Sequence, residues 1–411
     1  MRALIAYIKD KMISRFDDND IKTGSMRYER DTSEDALYID TPEALAEWVE
    51  VLKGASVIAV DTESDSFHHY EERVCLIQMT AQGKDVIIDP LSIDDISALG
   101  EFFENSRVIK IFHDAGYDLI CLHRDFGFRF AGLFDTMLAS RLIGRKRFGL
   151  ASLLQDYFEF TTDKSLQRSD WTKRPLSEKQ QRYARYDTHF LHDLMHILAD
   201  ELIKVERYEW AVEEFARIPG LMRQLNRPAA HDPEGFWRLR GLGKLSDDEL
   251  GRVAALYKSR DAIARRLDRP PFKVMSNELL VKLAVENPQR IAQLKPRPGL
   301  RQAGIERFGK ELIQALVSAK PLTTDRKEER RRRRSGRFLD PSSRKRFEKL
   351  RAMRKSIAET MELEPDVLMS NATLEDLALS PPQDADALRA RDDIAGWREP
   401  IFVDPILETL S

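Results

Sequence analysis

An α/β domain followed by two all-α helical modules is the architecture that the sequence predicts. Three observations predict it. Short apolar, β-branched runs alternate with helical periodicity as far as residue 206. Strand signals then stop, and helices separated by proline-rich turns take over. The helical part also repeats itself, without a gap, at an offset of 94 residues. Leu256, Arg260, Ile263, Pro271, Met275, Ser276, Asn277, Leu280 and Leu283 recur as Leu350, Arg354, Ile357, Pro365, Met369, Ser370, Asn371, Leu374 and Leu377. The expected divisions are a polar leader at 1–35, the α/β domain at 36–206, a first helical module at 207–320, a basic linker at 321–337 and a second module at 338–411. The second copy reads as diverged and less complete, because its tail lacks the proline-rich segment found at 295–299.

The whole-chain numbers set bounds. Of 411 residues, 42% are hydrophobic and 33% charged, which describes globular domains with enough apolar material for real cores. A net charge of −3 points to no particular partner. Cys75 and Cys121 both lie in apolar segments and read as buried thiols in a reducing cytoplasm. The first apolar run, ALIAYI, is broken by Lys9 and Asp10 and is too short for a signal peptide or a membrane span. Met26 is a second candidate start.

Taken in order, ALYID (36–40), SVIAVDTE (56–63), RVCLIQMT (73–80), DVIIDP (85–90) and RVIKIFH (107–113) are the expected strands. Helices are expected at 42–53, 93–105, 115–125, 135–143 and 150–158. Ser177 and Gln180 fit a capping box that opens another helix at PLSEKQQRYARYD. Leu191, Leu194 and Leu198 extend its inward face. Between the modules, DRKEERRRRRSGR (325–337) is charge without apolar content and reads as an exposed linker.

Chemistry concentrates at the ends of three of these elements. Asp61 and Glu63 are two apart on a strand and share a face. Carboxylates held side by side repel and resist desolvation, and a hard divalent cation removes both problems. Read alone, D-x-E fits a strand running into an acidic turn equally well. Asp118 falls in the first turn of a helix, where the dipole favours an ionised carboxylate. Tyr183 and Asp187 lie four apart on one helix face; a surface pair beside a core stripe is the plain alternative.

The constellation of D-x-E, an Asp about 55 residues on and Y-x-x-x-D about 65 further resembles the tyrosine branch of the DEDD exonuclease superfamily. VDTE…VCLIQ, KIFHDAGYDLICLHRDFG, LFDTMLASRL and DW-x-x-RPL are similar to ribonuclease D and its nuclear exosome relative. YKSRDAIARRLDRPPFKVMSNELL resembles an HRDC domain, and 344–380 a diverged second copy. The resemblance implies a ribonuclease-H-like sheet for 36–206. It also implies hydrolysis of RNA 3′ ends, such as those of tRNA precursors, with two divalent ions, Mg²⁺ or Mn²⁺. By motif position it makes Asp61, Glu63, Asp118 and Asp187 the metal ligands and Tyr183 the residue that orients the attacking water. HDAGYD departs from the family in carrying Asp114 where a small residue or Asn is usual.

Phe67, His113, Trp171, Arg174 and Arg185 are the candidate substrate contacts, with Arg168, Lys173 and Arg182 beside them as further cations for phosphates. A satisfied structural histidine and a packed loop tryptophan are the competing readings of His113 and Trp171. A monomer with RNA as partner and no membrane is expected. A DNA 3′–5′ exonuclease built on the same acids, and a nucleic-acid scaffold without catalysis, are the alternatives.

Overall fold

The computed structural model describes residues 35–224, 232–322 and 339–411. The expected leader lies outside the described residues except at its last position, and so does nearly all of the basic linker with its arginine run. Contacts divide the chain into two units. One gathers the residues up to 64 with 73–226 and 345–411, and the other joins 65–72 to 227–344.

The first unit is built on a six-stranded sheet in the order β1-β4-β3-β2-β5-β6. Its strands are β1 (Leu37–Ile39), β2 (Val57–Ser64), β3 (Val74–Ala81), β4 (Lys84–Ile88), β5 (Ile109–Phe112) and β6 (Leu133–Asp135). β2, β3 and β4 form an antiparallel meander, and the remaining pairings are parallel. Five strands stand where alternation placed them. β6 was not foreseen: three buried residues, LFD, carry too little pattern to be told from the helix that follows, and pairing with β5 makes them a strand.

The helices of this unit start where local chemistry starts them. Thr41 caps α1 (Pro42–Lys53), whose proline occupies the first turn, where its missing N–H costs nothing. The expected helix at 93–105 shrinks to a 3₁₀ turn, Ser97–Leu99, and α2 (Gly100–Glu104). There follow α3 (Gly116–Phe126), α4 (Thr136–Ile143) and α5 (Leu150–Phe158). The Ser177–Gln180 capping box opens α6 (Glu178–His189). Phe190 breaks the expected continuous stripe, and Leu191, Leu194 and Leu198 belong to a separate helix, α7 (Leu191–Lys204).

The expected boundary at 206 cuts off a helix that packs with the sheet. α8 (Tyr208–Gln224) buries Tyr208, Ala211, Val212, Phe215 and Ile218 in the core that also holds the sheet. Burying a side chain such as Val, Ile or Phe is worth about 1.5–3 kcal/mol. A fragment ending at 206 would expose the surface they cover.

The second unit contains the first module: α9 (Asp247–Arg266), α10 (Pro271–Val274), α11 (Asn277–Glu286) and α12 (Gln302–Val317). The second module returns to the first unit and is complete. Its elements are α13 (Pro341–Thr360), α14 (Pro365–Leu368), α15 (Asn371–Leu379), α16 (Ala385–Arg389) and α17 (Glu399–Leu410). The tail of the second copy, which lacks the proline-rich segment of the first, folds as α17. Pro400 sits in its first turn, and Phe402, Val403 and Ile406 are buried.

The repeated Arg and Met-Ser-Asn are structural. Arg260 donates to the Met275 carbonyl (3.0 Å) and to Asn277 Oδ1 (2.8 Å), and Arg354 donates to Met369 and Asn371 in the same way. Ser276 and Ser370 cap the next helices.

Candidate active site

The register of β2 against β3 decides which way the acids point. Asp61 stands opposite Gln78 and Glu63 opposite Leu76. Directly opposed residues share a face, so Asp61, Glu63, Gln78 and Thr80 line one side of the sheet. Ile77, Met79 and Ala81 turn to the other side, into the main core. α6 lies across the first side, in contact with β2, β3 and β4. The ladder shifts register between Glu63 and Ser64, a bulge placed just after the second acid.

A buried polar cluster holds α6 in place. Asp85 on β4 accepts from Arg185 Nε at 2.7 Å and from Thr80 Oγ1 at 2.7 Å, and shares a 2.6 Å bond with His189 Nδ1. Thr80 and Thr188 are joined at 2.8 Å. Burial pulls the Asp85 carboxyl upward, but the bonds from His189, Arg185 and Thr80 outweigh it and hold it at about 2. One carboxylate thus fixes the helix that carries Tyr183 and Asp187.

A second carboxylate fixes α3. Asp135, at the end of β6, accepts from the N–H groups of Asp114 (3.2 Å) and Ala115 (2.9 Å), at the entry to α3. It also accepts from Met137 (2.9 Å) and Leu138 (3.0 Å), which caps α4. Asp114 itself is exposed and left-handed, with φ 66°. That conformation is one Asp tolerates. Asp118 then projects from the first turn of α3, 7% exposed, and accepts a hydrogen bond from Thr62 Oγ1.

The electrostatics tie the four acids together. Burial, and then Asp187, raise Asp61 well above the carboxylate range. Glu63 is raised by burial, then by Asp187, Asp61 and Asp118. Burial and Asp61 raise Asp118 against the opposing Thr62 bond. Asp187 is raised by burial and by Asp118. Each acid is therefore close enough to feel at least one of the others. Burial, and then Asp187, Glu63 and Asp61, also drive the Tyr183 phenol well above its ordinary value, so it stays protonated.

This donor set fits a divalent cation. It is all oxygen and carries more negative charge than the site can hold uncompensated. Gln78, opposite Asp61 and 0% exposed, has neither amide atom hydrogen-bonded among the described residues. A buried amide of this kind is matched to a further polar group in the site. As they stand, no three or more Asp, Glu, His or Cys side chains among the described residues are grouped closely enough to hold a metal ion.

Three of the five substrate contacts expected from sequence are corrected. Trp171 is 1% exposed and packs with Cys75, Leu76 and Ile87, so no base can stack on it. Arg174 donates to Asp89 Oδ1 (2.7 Å), to the Trp171 carbonyl (2.7 Å) and to the Cys75 carbonyl (3.1 Å), which ties its loop to the sheet. Arg185 is buried on Asp85. His113 pairs with Thr136 at 2.9 Å, and burial lowers it to about 4, so its imidazole is neutral. Phe67 is 41% exposed; in the second unit its ring meets Phe272 edge-on at 6.2 Å. Lys173 and Arg182 remain exposed, as does Arg168. Both cysteines are buried. No helix among the described residues is long and apolar enough to cross a membrane.

Comparison with known proteins places this geometry. Residues 37–203 match a 3′–5′ exonuclease family, and 249–316 and 343–409 each match the HRDC domain. Exosome complex exonuclease RRP6 of Saccharomyces cerevisiae is 35% identical over 264 residues, 61% of this chain but only 36% of that protein. Ribonuclease D of Haemophilus influenzae is 30% identical over 365 residues, 87% of this chain and 88% of the relative. Among solved structures, that of Escherichia coli RNase D, an exoribonuclease involved in structured RNA processing, superposes with a TM-score of 0.67. It is 26% identical and covers 92% of this chain and 99% of its own.

Proposed function

Since the chain belongs to the ribonuclease D family, we propose that it is a divalent-metal-dependent 3′–5′ exoribonuclease releasing nucleoside 5′-monophosphates from the 3′ ends of structured RNA, tRNA precursors among them. The observation that carries this reading is the set of four carboxylates, from β2, α3 and α6, each raised by burial and by at least one of the others. Asp61, Glu63, Asp118 and Asp187 are the residues that would hold Mg²⁺ or Mn²⁺. Two such ions, when bound, supply an activated water and charge stabilisation for the leaving 3′-oxygen.

The chain's own groups do the positioning. Tyr183, one turn before Asp187 on α6, would donate its hydroxyl hydrogen bond to the attacking water and orient it. Asp85 and Asp135 hold the two helices that deliver Asp187 and Asp118. Arg168 and Lys173, ahead of α6, and Arg182 within it are exposed cations, and they take over the phosphate role first given to Arg174 and Arg185. The helical modules add RNA affinity and carry none of the chemistry.

The direct test incubates 3′-labelled tRNA precursor and a matched DNA with the protein, with and without Mg²⁺. Mononucleotide release from RNA, dependent on Mg²⁺, is expected. Equal hydrolysis of the DNA would favour a DNA exonuclease, and release from neither would leave a binding scaffold. Tyr183→Phe is expected to cut single-turnover cleavage by up to about 10²–10³-fold, the cost of one stabilising donor. RNA binding measured in Ca²⁺ should stay level. A fall in binding equal to the fall in rate would make Tyr183 a substrate-binding residue.

A further inference from the structure

The DW-x-x-RPL segment ahead of α6 spends both of its candidate substrate contacts, Trp171 and Arg174, on the protein itself. Trp171 is 1% exposed and shares one apolar cluster with Leu176, Ala184, Cys75, Leu76 and Ile87, and the Tyr183 ring packs against that cluster. The Trp171 and Tyr183 rings lie 6.0 Å apart between centroids, tilted by 31°. The indole and Leu176 thus form a wall behind the tyrosine. A second group from the same loop reaches the other end of its side chain. Gln167, exposed in the 3₁₀ turn Lys164–Arg168, hydrogen-bonds the Tyr183 phenol. An amide N–H donating to the phenol oxygen leaves the hydroxyl hydrogen for another acceptor.

Buried hydrogen bonds pin this loop to the sheet and to α6. Asp89, 0% exposed just past β4, accepts from Arg174 Nη2 at 2.7 Å, from Tyr38 Oη at 2.6 Å and from the Leu91 N–H at 3.0 Å. Arg174 carries the hold on to the Trp171 carbonyl at 2.7 Å. Gln181 of α6 donates to the Leu176 carbonyl at 3.3 Å. Sheet, loop and helix are therefore joined around Tyr183. Trp171 Nε1 is buried and has no hydrogen-bond partner among the described residues. A buried indole N–H ordinarily finds a partner, and leaving one unmade costs stability. An apolar ring in the same place would avoid that cost, so what the indole adds is breadth against Tyr183.

From this arrangement we infer that the loop is a positioning device for Tyr183, in which Trp171 fixes the phenol ring and Gln167 aims its hydroxyl hydrogen into the site. Both are positioning residues: neither touches substrate, and both act through the tyrosine. Two freedoms have to be removed before a phenol can orient a water, the swing of the ring and the rotation of the O–H about its C–O bond. Packing against the indole removes the first, and the Gln167 bond removes the second. The inference rests on the water-orienting role proposed for Tyr183.

The experiment makes Gln167→Ala, Trp171→Leu and Trp171→Phe in the full chain, each alone and each together with Tyr183→Phe. Misplacing a catalytic group by about 1 Å can cost about 10²-fold, so Trp171→Leu should slow single-turnover cleavage of a short RNA in Mg²⁺ by up to that factor, and Gln167→Ala by on the order of tenfold. Neither loss should exceed that of Tyr183→Phe. Trp171→Phe keeps a ring behind the tyrosine and should recover most of the rate. RNA affinity measured in Ca²⁺ should stay level throughout. In the Tyr183→Phe background Gln167→Ala should cost nothing further, because the hydroxyl that it aims is gone. An equal loss from Gln167→Ala in both backgrounds, or its full rate in the wild-type background, would overturn the inference. So would a fall in RNA affinity that matches the fall in rate, or a Trp171→Phe no faster than Trp171→Leu. If thermal melts show that Trp171→Leu does not fold, the exposed Gln167→Ala decides by itself. Tyr183→Phe cleaving at the wild-type rate, or wild-type protein that cleaves no RNA, would instead mark the failure of the earlier reading, and the inference would fall with it.

Discussion

Asp61→Asn is expected to abolish hydrolysis while leaving the protein at least as stable as the wild type. Asp61 lies on the central β2, and its carboxyl is raised by burial and by Asp187. Removing a single neutral oxyanion donor from an active site costs about 10²–10³ in rate. Loss of a charged ligand from a four-carboxylate set should cost at least about 10³-fold. The stability prediction has the opposite sign to that of an ordinary buried aspartate. A carboxyl whose pKa is raised on folding increasingly disfavours the folded state as pH rises above its unfolded value of about 3.9, and the cost is complete above the raised value. At pH 7 in EDTA, the neutral amide therefore relieves repulsion, and the midpoint of thermal unfolding should not drop. Divalent cation should separate the two proteins further. A ligand at 100 times its Kd adds about 2.7 kcal/mol to the folded state. The wild type should gain stability in Ca²⁺ or Mg²⁺, and Asp61→Asn should gain much less. Wild-type rates in the variant, or equal stabilisation of both proteins by Ca²⁺, would remove Asp61 from the site.

The second large effect is structural and acts at Asp85. Asp85→Ala leaves the buried Arg185, 6% exposed, without its carboxylate. Breaking a buried pair by removing one partner costs about 3–5 kcal/mol. The loss should also reach catalysis, because Arg185 and His189 belong to the helix that carries Tyr183 and Asp187. The sign of the pH dependence follows from the low value of about 2 in the fold against about 3.9 unfolded. This contribution is fully present above about pH 4 and fades as pH falls toward the folded value. Acid unfolding of the wild type between about pH 4 and 2 should therefore include a step that is weakened in Asp85→Ala. Thermal melts of both proteins at pH 7 and pH 3 measure it. A difference in stability that did not shrink at the lower pH would mean that Asp85 acts by packing and not by charge.

Most of the architecture was legible from local pattern. Five of the six strands, the Thr41 and Ser177 helix starts and the repeat at offset 94 all depend on residues within a few positions of one another. The four acids and Tyr183 were singled out through the resemblance of their spacing to the tyrosine branch of the DEDD exonucleases, and the sheet register sets Asp61 and Glu63 on the face that α6 covers. β6 was missed because three residues cannot display a period. The role of Asp135 had a faint signal, an Asp before the helical run in LFDTMLASRL, which reads as a cap. Nothing in that signal says that the same carboxylate also holds the entry to α3.

By itself, then, the sequence determined most of the strands and helices and that the module occurs twice. Those properties come from periodicity and spacing along the chain. The tertiary structure alone decided which polar side chains are available to a ligand. Arg174 and Arg185 look alike in sequence to any phosphate-binding arginine, but their carboxylates come from 85 and 100 residues away. Trp171 is sealed by β3 and β4 residues remote in the chain. It also decided that α8 and the second module belong with the sheet, through Trp210 on Trp397 and Glu214 on Arg398. Burial and charge pairing are set by contacts between distant segments, and no local pattern records who the partner will be.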